Sequence, residues 1–133
     1  MPAIDPSTVT ASYKRGLSLA RAGAFFEAHE AFEEAWRACE QSERDFFQGL
    51  VHVVVSAYQE VRGRPVARER QRVKALRRLA AYAPAHRGLD VGLLLAALEA
   101  TEADPREHLV ERDAKPPVTV EEEQQAERDQ RGT

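Results

Sequence analysis

The sequence predicts an all-α domain: a compact bundle of about five antiparallel helices, followed by a disordered, charged C-terminal tail. Three observations predict it. Apolar residues recur at helical spacing through five segments, so each segment has one inward face. The breaks between segments are short and carry Gly, Pro or Ser, which leaves successive helices as antiparallel neighbours. No alternating apolar–polar run lies between turn residues, so strands are not expected. The 133 residues amount to one domain and can bury a core without disulfides or metals.

Residues 1–7 read as a flexible lead. Pro6 is followed by Ser7 and Thr8, either of which suits an N-cap, and a first helix runs to about Ala22 with Tyr13, Leu17 and Ala20 inward. Gly23 is a turn residue, and a second helix runs from about Ala24 to Glu40. Gln41 and Ser42 break it, and Ser42 is the expected cap of a third helix from Glu43 to about Val61. "RGRP" at 62–65 is a loop, with Pro65 suited to a first helical turn. A fourth helix covers about Val66 to Tyr82, with Val66, Val73, Leu76 and Leu79 as its inward stripe. "APAHRG" is a second loop. Asp90 can cap a fifth helix from Val91 to about Ala103, which ends before Pro105. The helical domain is therefore expected over 8–104 and an extended to disordered tail over 105–133, where large apolar residues are scarce.

The second helix holds the first functional question. On a wheel with Phe25 at zero, Trp36 falls at about 20°, His29 at about 40° and Phe32 at about 340°. His29 is thus expected on the buried face beside Trp36, with Glu33 at the edge of that face, one turn on. A buried imidazole needs a hydrogen-bond partner, and Glu33 at i+4 can reach it. The third helix is apolar over more than half its circumference, and its remaining stripe is mostly neutral and polar: Gln48, His52, Ser56 and Gln59. A solvated stripe in this chain would carry Arg and Glu. The expected arrangement is a polar layer inside the bundle, in which His29, Glu30, Glu33, Gln48 and His52 meet.

These residues carry a resemblance. "GAFFEAHEAFEEAW", then "FFQGLVHVVVSAYQEVRGRP", then "HRGLDVGLLL" resemble the bacterial family called domain of unknown function 309. The pattern E-x-H-E-x-x-E-x-x-W falls on Glu27, His29, Glu30, Glu33 and Trp36; Gln48 and Gly49, Gly63, and Gly88 with Leu89 and Asp90 match the softer remainder. The resemblance spans about residues 10–100. It implies a small all-helical, cytosolic bacterial protein and brings no activity with it. A site built on His52 would belong to this chain and not to the family pattern.

Composition narrows the functional classes. The net charge of −3 is too small to argue for bulk nucleic-acid or membrane binding. The N-terminus lacks a secretory pattern, no apolar run approaches a membrane span, and Cys39 is the single cysteine. Together these fit a cytoplasmic protein. No G-x-S-x-G, P-loop or H-E-x-x-H motif occurs, so no catalytic residue is assigned. Cys39 reads as a small buried hydrophobe. "GAFFEA" also resembles the first turn of a tetratricopeptide helix, but no second copy follows.

Three readings remain. The leading one is a binding or interaction module acting through the polar layer, with a protein partner or an acidic ligand and no cofactor. The second is a metal-dependent or acid/base enzyme in which His29, Glu33 and His52 hold a divalent ion. The third uses the basic segment 62–78, where eight cations face only Glu69. There Arg68, Arg70, Arg72, Arg77 and Arg78 could track phosphates or an acidic partner, although aromatics for base stacking are missing from the segment.

Overall fold

The computed structural model describes residues 3–100 and 104–112. Five helices follow one another: α1 (Pro6–Arg21), α2 (Phe25–Ala38), α3 (Arg44–Val61), α4 (Pro65–Leu79) and α5 (Val91–Glu99). Short 3-10 turns at Gln41–Glu43, Ala80–Tyr82 and Pro105–His108 join or follow them. The all-α expectation holds, with one addition. Ala85–His86 (β1) and Leu89–Asp90 (β2) pair as a small antiparallel hairpin, where no strand was expected. Its two-residue loop, Arg87–Gly88, has both φ angles positive, at 48° and 71°. That is the geometry whose twist matches a hairpin. Strands of two residues are too short to show a period of two, so the alternation test had nothing to detect.

α1 starts earlier than expected. Asp5 is its cap, and not Ser7 or Thr8: the Asp5 carboxylate accepts from the Thr8 N–H at 3.3 Å and from both hydroxyls at 2.8 Å. Asp is as good a cap as Ser, and with Asp5 in place Pro6 occupies the first helical position, where its missing N–H costs nothing. The Asp5 N–H also bonds the Ala38 carbonyl, so the ordered chain already begins inside the expected lead.

α1 and α2 pack closely and antiparallel, joined by a turn at Gly23 with φ +82°. Gly16 makes the close approach possible, since a Cβ there would lie 2.5 Å from the Phe32 ring. Tyr13, Leu17 and Ala20 face inward as expected. α2 ends at Ala38, before Glu40, and α3 has no side-chain cap. Ser42 does not cap it; its carbonyl accepts the Tyr82 hydroxyl at 2.7 Å.

α3 is the central helix, and α4 runs back along it. Gly49 sits against Leu79, Ser56 Oγ donates to the Arg68 carbonyl at 3.1 Å, and His52 faces Gln71. The inward stripe of α4 differs from the expected one. Ala75 and Leu79 are buried and Leu76 is half-buried, but Val66 and Val73 are 66% and 42% exposed. Tyr13, Phe46 and Phe47 form the aromatic centre of the core, with ring centroids 5.1–5.9 Å apart at steep angles. Such tilted and edge-to-face contacts suit the ring quadrupoles.

Asp90 caps α5 as expected, accepting from the Leu93 N–H at 2.9 Å. α5 ends at Glu99, short of Ala103. Residues 104–112 pack against the helices, past residue 104, where the domain was expected to end. Asp104 accepts from the Arg106 N–H, Leu109 is buried, and Leu89 bridges Glu111. A lone leucine in a charged segment gave no periodic signal, so its burial was not anticipated. The rest of the expected tail, 113–133, lies outside the described residues. Among the described residues no helix is long and apolar enough to cross a membrane.

Candidate functional site

The outer stripe of α3 lies between α2 and α4, and its polar residues form the floor of a surface groove. Two adjoining hollows of about 560 and 380 Å³ make up this groove. Glu33 and Trp36 of α2 form one wall; Lys74, Arg77 and Arg78 of α4 form the other. Asp45 and Gln48 line both hollows, and His52 lines the second. The helical spacing of Arg44, Gln48 and His52, four residues each, puts them on one line.

The expected polar layer is therefore partly found and wrongly placed. Glu33, Gln48 and His52 do share one groove, but on the surface, not inside the bundle. His29 is not a core residue: its side chain is 34% exposed. Its Nε2 lies 3.3 Å from Glu33 Oε1, so the expected partner is correct. Glu33 also pairs with Arg37 at 3.7 Å, and Glu30 is exposed. Trp36 is half-buried, with the Arg44 guanidinium 4.1 Å from the centre of its ring. The wheel was centred on Phe25, whereas the buried arc is centred on Ala28 and Ala35. Small alanines carry the helix contact, because their size lets α2 approach its neighbours. That shift moves Trp36 and His29 from the middle of the face to its flank.

His52 pairs elsewhere, through Nδ1, which lies 2.7 Å from Gln71 Oε1. Burial lowers its pKa, and the charges of Arg78 and Lys74 push the same way. A neutral imidazole suits a hydrogen-bonding role here. His29, Glu33 and His52 do not converge, and among the described residues no three His, Cys, Asp or Glu side chains are grouped to hold a metal ion.

The arginines of α4 divide between two faces. Arg70 and Arg77 are exposed, and Arg78 bonds Asp45 at 2.6 Å across the groove. Arg68 and Arg72 turn the other way. Arg68 pairs with Glu60 at 2.8 Å, and Arg72 pairs with Glu69 and donates to the Leu98 carbonyl at 3.0 Å. The five residues expected as one basic patch thus belong to separate surfaces. Trp36, carried in from α2, supplies the aromatic that the basic segment itself lacks.

One cluster went unnoticed in the sequence. Glu43 accepts from Arg87 through Nε and, at 2.8 Å, through Nη2, and its Oε2 lies 3.0 Å from His86 Nε2. The Arg87 hydrogen bonds hold the Glu43 carboxyl below the usual carboxylate range. His86 packs edge-on to Phe46 at 4.5 Å, and the Arg87 carbonyl accepts the Tyr13 hydroxyl at 3.0 Å. The cluster pins the hairpin to the start of α3. Its available signal was the "HRG" hairpin loop, read only as a break. Cys39 is buried nearby with its thiol pKa pushed up, first by burial and then by Glu43. The thiolate needed for reactivity is thus disfavoured.

Comparison with known proteins adds one match. Residues 13–77 match the model of the family described as Domain of unknown function (DUF309). No curated protein and no solved structure matches the chain. The matched span is shorter than the resemblance read from the sequence, but it holds the E-x-H-E-x-x-E-x-x-W helix, all of α3 and most of α4. The groove's floor and both its walls, up to Arg77, fall within it, and the chain therefore carries a domain of the DUF309 family.

Proposed function

We propose that this domain is a cytoplasmic binding module that takes an acidic polypeptide segment into the groove over α3. One observation carries the reading. Lys74 and Arg77, which have no ion-pair partner among the described residues, line the same groove as Arg78, Gln48 and His52. Cations without carboxylates leave a local positive potential that a complementary acidic chain can use for steering and register. Gln48 and the Gln71-bonded His52 offer neutral hydrogen-bonding groups between the charges. The groove is open and shallow, as suits a peptide more than an enclosed substrate. Its described lining of charged and hydrogen-bonding side chains suits recognition.

An acidic peptide is favoured over a nucleic acid for two reasons. Glu33 and Asp45 lie in the groove lining, so a peptide whose acidic residues are spaced to avoid them fits where an unbroken phosphate backbone would meet both. The Trp36 ring is also already faced by Arg44, which competes with base stacking there.

Trp36 is the single tryptophan and reports on the groove directly. A glutamate-rich decapeptide should change its fluorescence saturably at low salt, with affinity falling as ionic strength rises. The double variant Lys74→Gln/Arg77→Gln should weaken this binding at least tenfold. Tighter binding of a single-stranded oligonucleotide than of the peptide would reassign the groove. Absence of binding by either at low salt would end the proposal.

A further inference from the structure

Arg68 and Arg72, one turn apart on α4, border a second and more enclosed hollow on the opposite side of the helix. It has a volume of about 240 Å³ and lies between the end of α3, the start of α4, α5 and the Pro105–His108 turn. Its apolar wall includes Phe25, Val61, Ala97 and Leu98; its polar wall includes Arg68, Arg72 and Arg106. The three guanidinium groups come from two separate elements, α4 and the turn after α5, and meet only through the fold. Nothing in the groove proposal uses them.

The state of these arginines separates them from ordinary surface cations. Arg68 and Arg72 are only 23% and 19% exposed. Each of the three nitrogens of Arg72 has a partner, in Glu69 or the Leu98 carbonyl. It holds the α4–α5 wall in place. Arg68 spends only its Nε, on Glu60, and Arg106 spends Nε and Nη2, on Asp104. Among the described residues no acceptor meets Nη1 or Nη2 of Arg68, or Nη1 of Arg106. A guanidinium offers five N–H donors in a rigid fork that matches a carboxylate. Arg68 and the more open Arg106, 23% and 39% exposed, therefore bring spare donors to the lining of one hollow.

The other wall limits what these donors can hold. At roughly 30 Å³ per water-sized unit, the hollow encloses on the order of eight non-hydrogen atoms and, being open on one side, takes a chain only slightly longer than that with its end in solvent, still less than a drug-sized molecule. Glu60 and Asp104 already neutralise part of the cationic charge, which disfavours a multiply charged phosphate ester. We propose that the hollow binds a small monocarboxylate with an apolar body, such as a medium-chain fatty acid. Its carboxylate would sit on Arg68 and Arg106, and its chain against Phe25, Val61, Ala97 and Leu98.

Calorimetric titration of the full chain with octanoate, at fixed ionic strength and below its micelle concentration, tests this. Saturable one-to-one binding is expected. Octanol, with the same body and no charge, and inorganic phosphate, with charge and no body, should each bind at least ten times more weakly. Arg68→Gln and Arg106→Gln should each lower octanoate affinity at least tenfold while circular dichroism stays native. Lys74→Gln/Arg77→Gln, on the groove side, should leave it unchanged, so the two sites fail or stand separately. No saturable octanoate binding by the folded protein, equal binding of octanol, or unchanged affinity in both arginine variants would overturn the proposal.

Discussion

Glu43→Gln is the sharpest perturbation of this fold, because one carboxylate collects three donor contacts at the junction of the hairpin and α3. The Glu43 side chain is only 16% exposed, and it receives Arg87 through Nε and Nη2 and faces His86 Nε2. Glutamine keeps one acceptor oxygen and turns the other into an NH₂ group, which must face a guanidinium or imidazole N–H. A hydrogen bond to a charged group contributes about 1.5–3 kcal/mol, and breaking a fully buried pair costs about 3–5 kcal/mol. Arg87 keeps some contact with water, so the estimate falls to about 2–3 kcal/mol after screening. A folded unit of roughly 110 residues has an unfolding entropy of about 0.23 kcal/mol/K, so Tm should drop by about 9–13 °C.

The pH dependence gives a second readout. Arg87 lowers the Glu43 pKa in the folded state, so in acid the unfolded chain binds the proton more readily. The stability from Glu43 is then fully present above the ordinary glutamate range and is lost as pH falls through the folded value. The variant should lack this part of the acid limb. Thermal unfolding by circular dichroism between pH 3 and pH 7 measures both effects. If Glu43→Gln melts within 2 °C of the parent protein and retains the same acid slope, the clamp contributes nothing and the reasoning is wrong.

Two other substitutions test the packing. Gly16→Ala places a methyl 2.5 Å from the Phe32 ring, which fills the core and cannot swing aside; overpacking should cost about 1–3 kcal/mol, and an unchanged urea midpoint would contradict the close helix approach. His29→Ala removes a flank residue paired with a half-buried Glu33, so it should cost less than about 1 kcal/mol, and a larger loss by urea titration would put His29 back in the core.

How much was legible follows from where each signal originates. Helix count and order were readable because breaks such as Gly23 and Pro65 act locally. The Asp90 cap was readable for the same reason: a side chain three residues from its donor needs no tertiary information. The hairpin and the Leu109 anchor were not, because each is stabilised by partners far along the chain, such as Tyr13 on Arg87 and Arg21 on the Leu109 carbonyl. The site divides in the same way. Stripe membership of Glu33, Gln48 and His52 is a property of single helices, and it survived. Their depth depends on which neighbour each helix meets and how closely, and there the expectation failed. The signal for the right depth was the small-residue line Ala28, Ala31 and Ala35, which marks the true contact face of α2.

α4 makes the same error testable. Spacing at i and i+7 suggested that Val66 and Val73 face the core, since apolar residues usually do. Yet Ala75 and Leu79 occupy the inward positions, and the long stems of Arg68 and Arg72 cover part of the same side with their heads in the second hollow. Arginine stems can take the place of apolar side chains at such a boundary because only their tips need polar partners. Val66 and Val73 are then left on the side that carries Arg70 and Arg77. The double variant Val66→Ser/Val73→Ser should therefore change unfolding free energy by less than about 0.5–1 kcal/mol, the range of surface substitutions. Had both been buried, the loss of two apolar side chains to polar ones would cost about 1.5–3 kcal/mol each. Urea unfolding followed by circular dichroism separates these outcomes, and a loss above 2 kcal/mol would return the two valines to the core and rotate α4 on its axis. That rotation would also move Arg68 away from the hollow against α5 and Lys74 away from the groove, so this one measurement bears on both proposed sites before any ligand is added.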